Sequence, residues 1–317
     1  MQFKKIIALF GASSILLVIL RTVQLLTFVD ASTGFTKSDR NSSTFSTLFT
    51  IIYLAIGAFI YYLAYYSCRR QPTKAPDYEK APALPIGIFA FCVYFALNTA
   101  RAFLNIRETI CLIQAIFGIL SIICILIYAI YIRKNKVMPA LLALTPAIYF
   151  IVTAIKVFLN FSKIATITEN VIHIIFLCFA IIFFQLNAKI MTGITLRRAC
   201  RLILPTGLIT FMLSCILILP TFIISLIGKS NILHAKLDLF NLSYLLVGIY
   251  ALIYTLSLYN FKKSNNKKRV VVSSILNSDF KEVNHEDFIR TKDYQKPQVE
   301  ITEETTIADI EISKEEI

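Results

Sequence analysis

Eight long apolar runs constrain this chain more than any other feature of its sequence. Each is close to 20 residues or longer, and about 20 residues of helix span the ~30 Å hydrocarbon core of a bilayer. Because lipid offers the backbone no hydrogen-bond partner, continuous runs of this kind cross it as helices. A membrane β-barrel would show short alternating segments instead. The sequence therefore predicts an all-α fold, a polytopic helical membrane bundle.

The composition agrees with this fold class, since 57% of the residues are hydrophobic and the mean hydropathy is +0.70. The eight spans pair into four hairpins, in which each odd-numbered span leads out and the next span returns. The predicted spans cover residues 6–28, 46–66, 83–104, 109–132, 139–161, 170–190, 202–227 and 240–261.

The Lys and Arg residues that flank the spans are unevenly divided between the two sides. The side with the N-terminus and the segments after even spans carries 18 of them, and the other side carries six. Cytoplasmic segments of membrane proteins are enriched in Lys and Arg. We therefore expect a cell-membrane protein with both termini in the cytosol. The same bias explains the net charge of +13 without nucleic-acid binding.

The C-terminal part has a different composition from the transmembrane bundle, which we place at residues 1–261. Residues 262–269 form a basic juxtamembrane segment, and residues 270–317 carry 12 acidic and five basic residues. High charge and low hydrophobicity predict a mostly disordered cytosolic tail. The tail is a candidate for docking a cytosolic protein. A short strand or helix of the tail would then form on binding to that partner. The basic segment is a candidate for binding anionic lipid through Lys262, Lys263, Lys267, Lys268 and Arg269.

Cations with polar neighbours occur in the outer third of three odd spans. Span three carries Arg101, with Asn98 and Asn105 on the same helical face. Spans three and five also share a weak repeat, ARAFLNI against IKVFLNF, which indicates either duplication or chance. The candidate ligand-binding residues are Arg21, Gln24, Asn98, Arg101, Asn105, Lys156, Asn160 and His173.

These cations have two interpretations. The first is structural: a Lys or Arg near a span end lifts its charge to the interface, or pairs with a polar neighbour. The second is that the odd-span faces converge on an outward-facing cationic layer that favours an anionic or amphipathic ligand. None of the seven carboxylates in residues 1–261 lies deep in a span. Carriers coupled to protons or sodium usually need one there, so such coupling is not expected.

Span seven contains Pro205 and Pro220. Each removes a backbone donor and favours a bend. The two prolines predict either packed kinks or a discontinuous span of the kind that lines some substrate sites.

No catalytic constellation is visible, so we expect no enzyme activity. The chain has no GxSxG or GxGxxG sequence, and its three histidines share no metal-ligand spacing. The seven cysteines include no CxxC pair, which argues against a zinc site or a disulfide framework. We expect no cofactor and no metal.

Residues 20–35, LRTVQLLTFVDASTGF, resemble a stretch of uncharacterised multi-pass membrane proteins of Gram-positive bacteria. In that family an Arg-containing first span leads into an Asp-x-x-Thr-Gly-Phe loop, matched here by Arg21, Asp30, Thr33, Gly34 and Phe35. The resemblance implies membrane localisation and no particular activity or site residues.

Two functions are compatible with these observations. The first is binding or transport of a small anionic or amphipathic ligand through the cationic layer. The second is a membrane sensor or scaffold whose acidic tail recruits a cytosolic partner. An intramembrane enzyme acting on lipid is least supported, because no nucleophile, metal site or acid–base pair is visible.

Overall fold

The computed structural model describes residues 3–29, 37, 40–69, 83–105, 108–134, 138–161, 168–194, 196–227 and 239–260. These residues form eight helices long and apolar enough to cross a membrane, which confirms the predicted fold class and span number. The helices are α1 (Phe3–Phe28), α2 (Arg40–Arg69), α3 (Leu84–Leu104), α4 (Thr109–Lys134), α5 (Ala140–Phe161), α6 (Thr168–Met191), α7 (Leu196–Leu226) and α8 (Leu239–Asn260). The tail and the basic segment lie outside the described residues.

Six of the helices form a closed ring. Each helix from α3 to α8 packs against the next one in the chain, and α8 packs back against α3. The remaining two, α1 and α2, pack against each other and against α7. Helix α7 therefore has neighbours on most of its sides, and it is the most buried of the eight. It runs as one helix through both of its prolines, Pro205 and Pro220.

Odd-numbered helices end, and even-numbered helices begin, at the same end of the bundle. Arg101 lies in the last turn of α3, so we call this the Arg101 end. The label carries no assumption about which side of the membrane it faces.

The ring is held together by helix pairs that approach closely at glycine. A methyl group placed on Gly248 of α8 would meet the Ser214 side chain of α7. Gly207 of α7 faces Thr255 of α8 in the same way, and Gly118 of α4 faces Thr99 of α3. Small residues let membrane helices approach closely enough for extensive van der Waals contact.

Aromatic side chains fill the interior of the ring. Five rings from α3, α5, α6 and α8 lie nearly parallel in the order Tyr250, Phe91, Phe184, Phe150 and Tyr94, and we call them the aromatic stack. Neighbouring centroids are 4.4 Å, 4.7 Å, 4.9 Å and 5.6 Å apart, with interplanar angles of 5–7°. Every ring of the stack is at most 2% exposed. Because the stack contacts four of the six helices, it fixes the ring around a single core.

Candidate functional site

The candidate cations and the polar side chains around them form two groups between the helices, one in the α1–α2 hairpin and one in the six-helix ring. Both lie nearer the Arg101 end than the opposite end. The two groups differ in burial and in the partners that they give to their cations.

The first group, which we call the Arg21 cluster, consists of Arg21, Gln24, Ser46 and Tyr53. Arg21 donates from Nη1 to Oε1 of Gln24 at 2.7 Å, and the hydroxyl of Tyr53 donates to the same oxygen at 2.9 Å. The amide nitrogen of Gln24 donates to the Ser46 hydroxyl at 2.9 Å and to its carbonyl oxygen at 3.2 Å.

The Arg21 cluster is closed. Arg21 is 2% exposed and Gln24 is fully buried. Arg21 lies seven residues before the end of α1, about 10 Å along the helix axis. The guanidinium is held between helices rather than extended to the interface. The cluster therefore joins α1 to α2, and the structural interpretation fits this cation.

The second group surrounds Lys156 on α5. The Lys156 ammonium donates to the side-chain oxygen of Gln114 on α4 at 3.1 Å. The Gln114 amide nitrogen in turn donates to the Thr153 hydroxyl at 3.1 Å and to the Tyr149 hydroxyl at 3.3 Å. Lys156 is half-buried, whereas Gln114, Thr153 and Tyr149 are buried.

Three tyrosines connect Lys156 to the other side of the ring. Tyr94 packs edge-on against Tyr149 at 6.2 Å and lies 5.8 Å from Tyr244, measured between ring centroids. Tyr244 also packs edge-on against His173, at 4.8 Å. Arg101 lies one turn after Asn98 on α3, and Asn98 donates to Ser243, the residue before Tyr244. Arg101 and Lys156 therefore belong to one continuous polar region with Tyr94, Tyr149 and Tyr244 between them.

We call this region the polar layer. It comprises Tyr94, Asn98, Arg101, Gln114, Tyr149, Thr153, Lys156, His173, Ser243 and Tyr244. Asn98 connects α3 to α8, because its side-chain nitrogen donates to the Ser243 hydroxyl at 2.7 Å. Nε2 of His173 is buried and has no hydrogen-bond partner among the described residues.

Among the side chains that the structure describes, acidic groups are scarce around the polar layer. Glu108 is the only carboxylate whose side chain the structure describes, and it is exposed at the turn between α3 and α4. It accepts a hydrogen bond from the Cys111 thiol at 3.3 Å. Among the described residues, the hydrogen-bond partner of Lys156 is thus a neutral amide rather than a carboxylate.

The structure divides the candidate residues predicted from the sequence. It brings Asn98, Arg101, Lys156 and His173 into the polar layer but places Arg21 and Gln24 in a separate cluster, because α1 packs against α2 and α7. Asn105 caps α3 and is exposed, donating to the Arg101 carbonyl oxygen at 3.1 Å. The Asn160 side chain lies outside the described part. Binding of a ligand by these residues stays a prediction.

Gln114 and the three tyrosines were missed by sequence reasoning. Gln114 is a lone polar residue inside the fourth apolar run, which is a usable signal, because an amide in lipid requires a partner. Tyrosines inside spans carry little information, since the chain has 15 of them and many flank span ends.

Metal binding has no support in the described residues, which contain no group of three or more His, Cys, Asp or Glu side chains placed to hold an ion.

Comparisons with known proteins found no counterpart of this chain. No protein-family model matches it, and neither the curated proteins nor the solved structures searched gave a match. The resemblance of residues 20–35 to a bacterial membrane family therefore stays a prediction.

Proposed function

We propose that this protein is a non-enzymatic, multi-pass protein of the cell membrane that binds or translocates a small anionic or amphipathic ligand at the polar layer. The observation that carries the proposal is the Lys156 ammonium, held between α4 and α5 by a neutral amide. Inserting a cation at the bilayer centre costs about 2.5–3.5 kcal/mol, and less towards the edge. An oxyanion that binds there offsets that cost with a charge-assisted hydrogen bond.

The surroundings of Lys156 support an anion rather than a cation as the ligand. Arg101 adds a second positive charge to the polar layer, one turn after Asn98 on α3. The hydroxyls, amides and imidazole of the layer are neutral groups, several of which donate hydrogen bonds. Two cations and a set of neutral donors form a region that favours negative charge.

The orientation of the site follows from the division of positive charge in the sequence. With 18 flanking Lys and Arg residues on the N-terminal side and six on the other, we place both termini in the cytosol. The Arg101 end then faces outward, so a water-borne ligand would approach from outside the cell. An impermeant thiol reagent should label Glu108→Cys, but not Ile317→Cys, in intact cells carrying an otherwise cysteine-free chain.

Thermal unfolding of the purified full chain in phosphatidylcholine nanodiscs tests anion binding. The anions compared are inorganic phosphate, acetate and glutamate, each against chloride at equal ionic strength. We expect at least one of them to raise the unfolding midpoint, because a ligand that binds only the folded state stabilises it. The rise should disappear in Lys156→Gln and in Arg101→Gln.

Lys37 provides the matched control. It is an exposed lysine at the same end of the bundle, and its ammonium also has a neutral partner, the Thr27 carbonyl oxygen at 2.8 Å. Lys37→Gln should keep the full anion-dependent rise. The proposal is contradicted if none of the three anions raises the midpoint, or if Lys37→Gln reduces the rise as much as Lys156→Gln.

Deleting residues 270–317 separates this function from the sensor or scaffold alternative. The truncated chain should retain its anion response, since no residue of the polar layer is removed. A response that depends on the tail would favour the alternative.

A further inference from the structure

Lys156 lies at the edge of α5, where its buried face meets its exposed face. Thr153 and Tyr149, one and two turns earlier, are at most 2% exposed, whereas Ile155 is 49% and Leu159 53% exposed. The hydrogen bond to Gln114 places this edge against α4. Lys156 therefore occupies the seam between two helices and not the centre of the ring.

The α4 side of the seam has the same arrangement. Gln114 is 6% exposed, while the preceding residue, Ile113, is 40% exposed and Ile116 is 49% exposed. On both helices a polar residue that faces the seam is flanked by apolar residues that face outward. In a membrane those outward residues contact lipid chains, so the seam connects the polar layer directly to the bilayer.

The depth of Lys156 suits a lipid headgroup. It lies three residues before Leu159, the last residue of the apolar span Ala140–Leu159, about 4.5 Å along the helix axis. A lysine at that depth places its ammonium near the headgroup level while its aliphatic stem stays among apolar groups.

The ammonium also has donors to spare. An ammonium carries three N–H donors, and among the described residues one of them is used, by Gln114. The remaining donors can bind the oxygens of a phosphate or carboxylate. Arg21 offers no such access, because it is 2% exposed.

We propose that the seam between α4 and α5 binds an anionic membrane lipid, with its headgroup oxyanion on Lys156 and its acyl chains along Ile116 and Ile155, which lie on the bilayer side of Gln114 and Lys156. The proposal rests on the proposed function and deepens it, since it selects an amphipathic ligand that arrives from the bilayer over a free anion that arrives from water. Zwitterionic lipid presents the same chains without the net negative charge and binds more weakly.

Native mass spectrometry of the full chain released from nanodiscs tests this proposal. The nanodiscs contain equal amounts of phosphatidylglycerol and phosphatidylcholine with matched acyl chains. We expect phosphatidylglycerol to be retained preferentially and Lys156→Gln to lower its retention about fivefold, because one cation contributes about a fivefold change in affinity for anionic lipid. Lys156→Arg should keep most of the retention, and Lys37→Gln should not change it.

A second arm separates lipid from a free anion. Inorganic phosphate in excess should leave retained phosphatidylglycerol unchanged if the acyl chains contribute to binding. Ile116→Asn, which replaces a lipid-facing side chain without touching Lys156, should lower retention while keeping the thermal response to free anions.

The outcomes distinguish this proposal from the proposed function. It is overturned if the two lipids are retained equally, if Lys156→Gln retains as much phosphatidylglycerol as the wild type, or if phosphate displaces the lipid completely. In each case the thermal shift with free anions can still occur, and the binding function then stands without the lipid. If Lys156→Gln does not fold, the comparison of the two lipids in the wild type and the loss of retention expected for Ile116→Asn carry the test.

Discussion

Arg21 and Lys156 have similar surroundings in the sequence but different ones in the structure. Each is a cation in an apolar run with amide or hydroxyl residues at helical spacing. Arg21 is buried in the α1–α2 hairpin and bonded to Gln24, whereas Lys156 is half-buried at the edge of the six-helix ring. A closed cluster joins helices, while an open one leaves hydrogen-bonding capacity for a ligand. The exposure of the cation, and not its presence in an apolar run, separates the closed cluster from the one at which we propose that a ligand binds.

The largest expected effect concerns the aromatic stack at the centre of the six-helix ring. Phe91→Ala removes a ring that is 1% exposed and stacks on both Phe184 and Tyr250. We expect a loss of about 4 kcal/mol in the free energy of unfolding. Phe59→Ala on α2, where the side chain is 57% exposed, should cost less than about 0.5 kcal/mol. Unfolding of both variants in detergent measures the difference, and equal losses would contradict the ring core.

Removing the amide partner of each cation compares the two clusters directly. Gln24→Leu leaves the buried Arg21 without its Oε1 acceptor, and we expect a loss of about 3 kcal/mol in unfolding free energy. Gln114→Leu takes the acceptor from Lys156, which is half-buried and can turn towards the interface, so the loss should be about 1 kcal/mol. Unfolding of both variants in detergent measures the two losses and shows which is larger. A larger loss for Gln114→Leu would mean that Lys156 is the structural cation.

Two glycines give a smaller contrast between the regions. A methyl group on Gly248 would lie 2.8 Å from the Cβ of Ser214, whereas one on Gly11 of α1 would meet nothing within 4 Å. Gly248→Ala should therefore destabilise the ring by about 2 kcal/mol through overpacking. Gly11→Ala should stabilise α1 slightly, by up to about 1 kcal/mol of helix propensity. If Gly248→Ala left the free energy of unfolding unchanged, α7 and α8 could move apart at this position without loss of stability.

The spans could be predicted from the sequence because span length and charge at the ends are local properties. All eight helices fall where the apolar runs lie, and α2 and α7 each begin six residues before the predicted span, at Arg40 and Leu196. The ring could not be predicted, since lipid removes the signal that marks a buried face in water. Phe89 and Phe91 are the same residue type two positions apart, yet one is 70% exposed and the other 1% exposed.

The candidate site was predictable only in part for the same reason. Asn98, Arg101, Lys156 and His173 are conspicuous as polar residues in apolar runs, and all four lie in the polar layer. The spacing of residues along a helix does not predict which helices pack together, however. It therefore could not show that Arg21 and Lys156 belong to different groups. That separation follows from the packing of α1 against α7 and of α3 against α8.

Disulfide formation between introduced cysteines tests this helix arrangement most directly. In a cysteine-free chain, Asn98→Cys with Ser243→Cys replaces two side chains whose polar atoms lie 2.7 Å apart across α3 and α8. We predict rapid oxidation of this pair in membranes, and no cross-link for Gln24→Cys with Asn98→Cys. A cross-link between positions 24 and 98, with none between 98 and 243, would show that the faces of α1 and α3 adjoin. That result would contradict both the ring and the separation of the two cations.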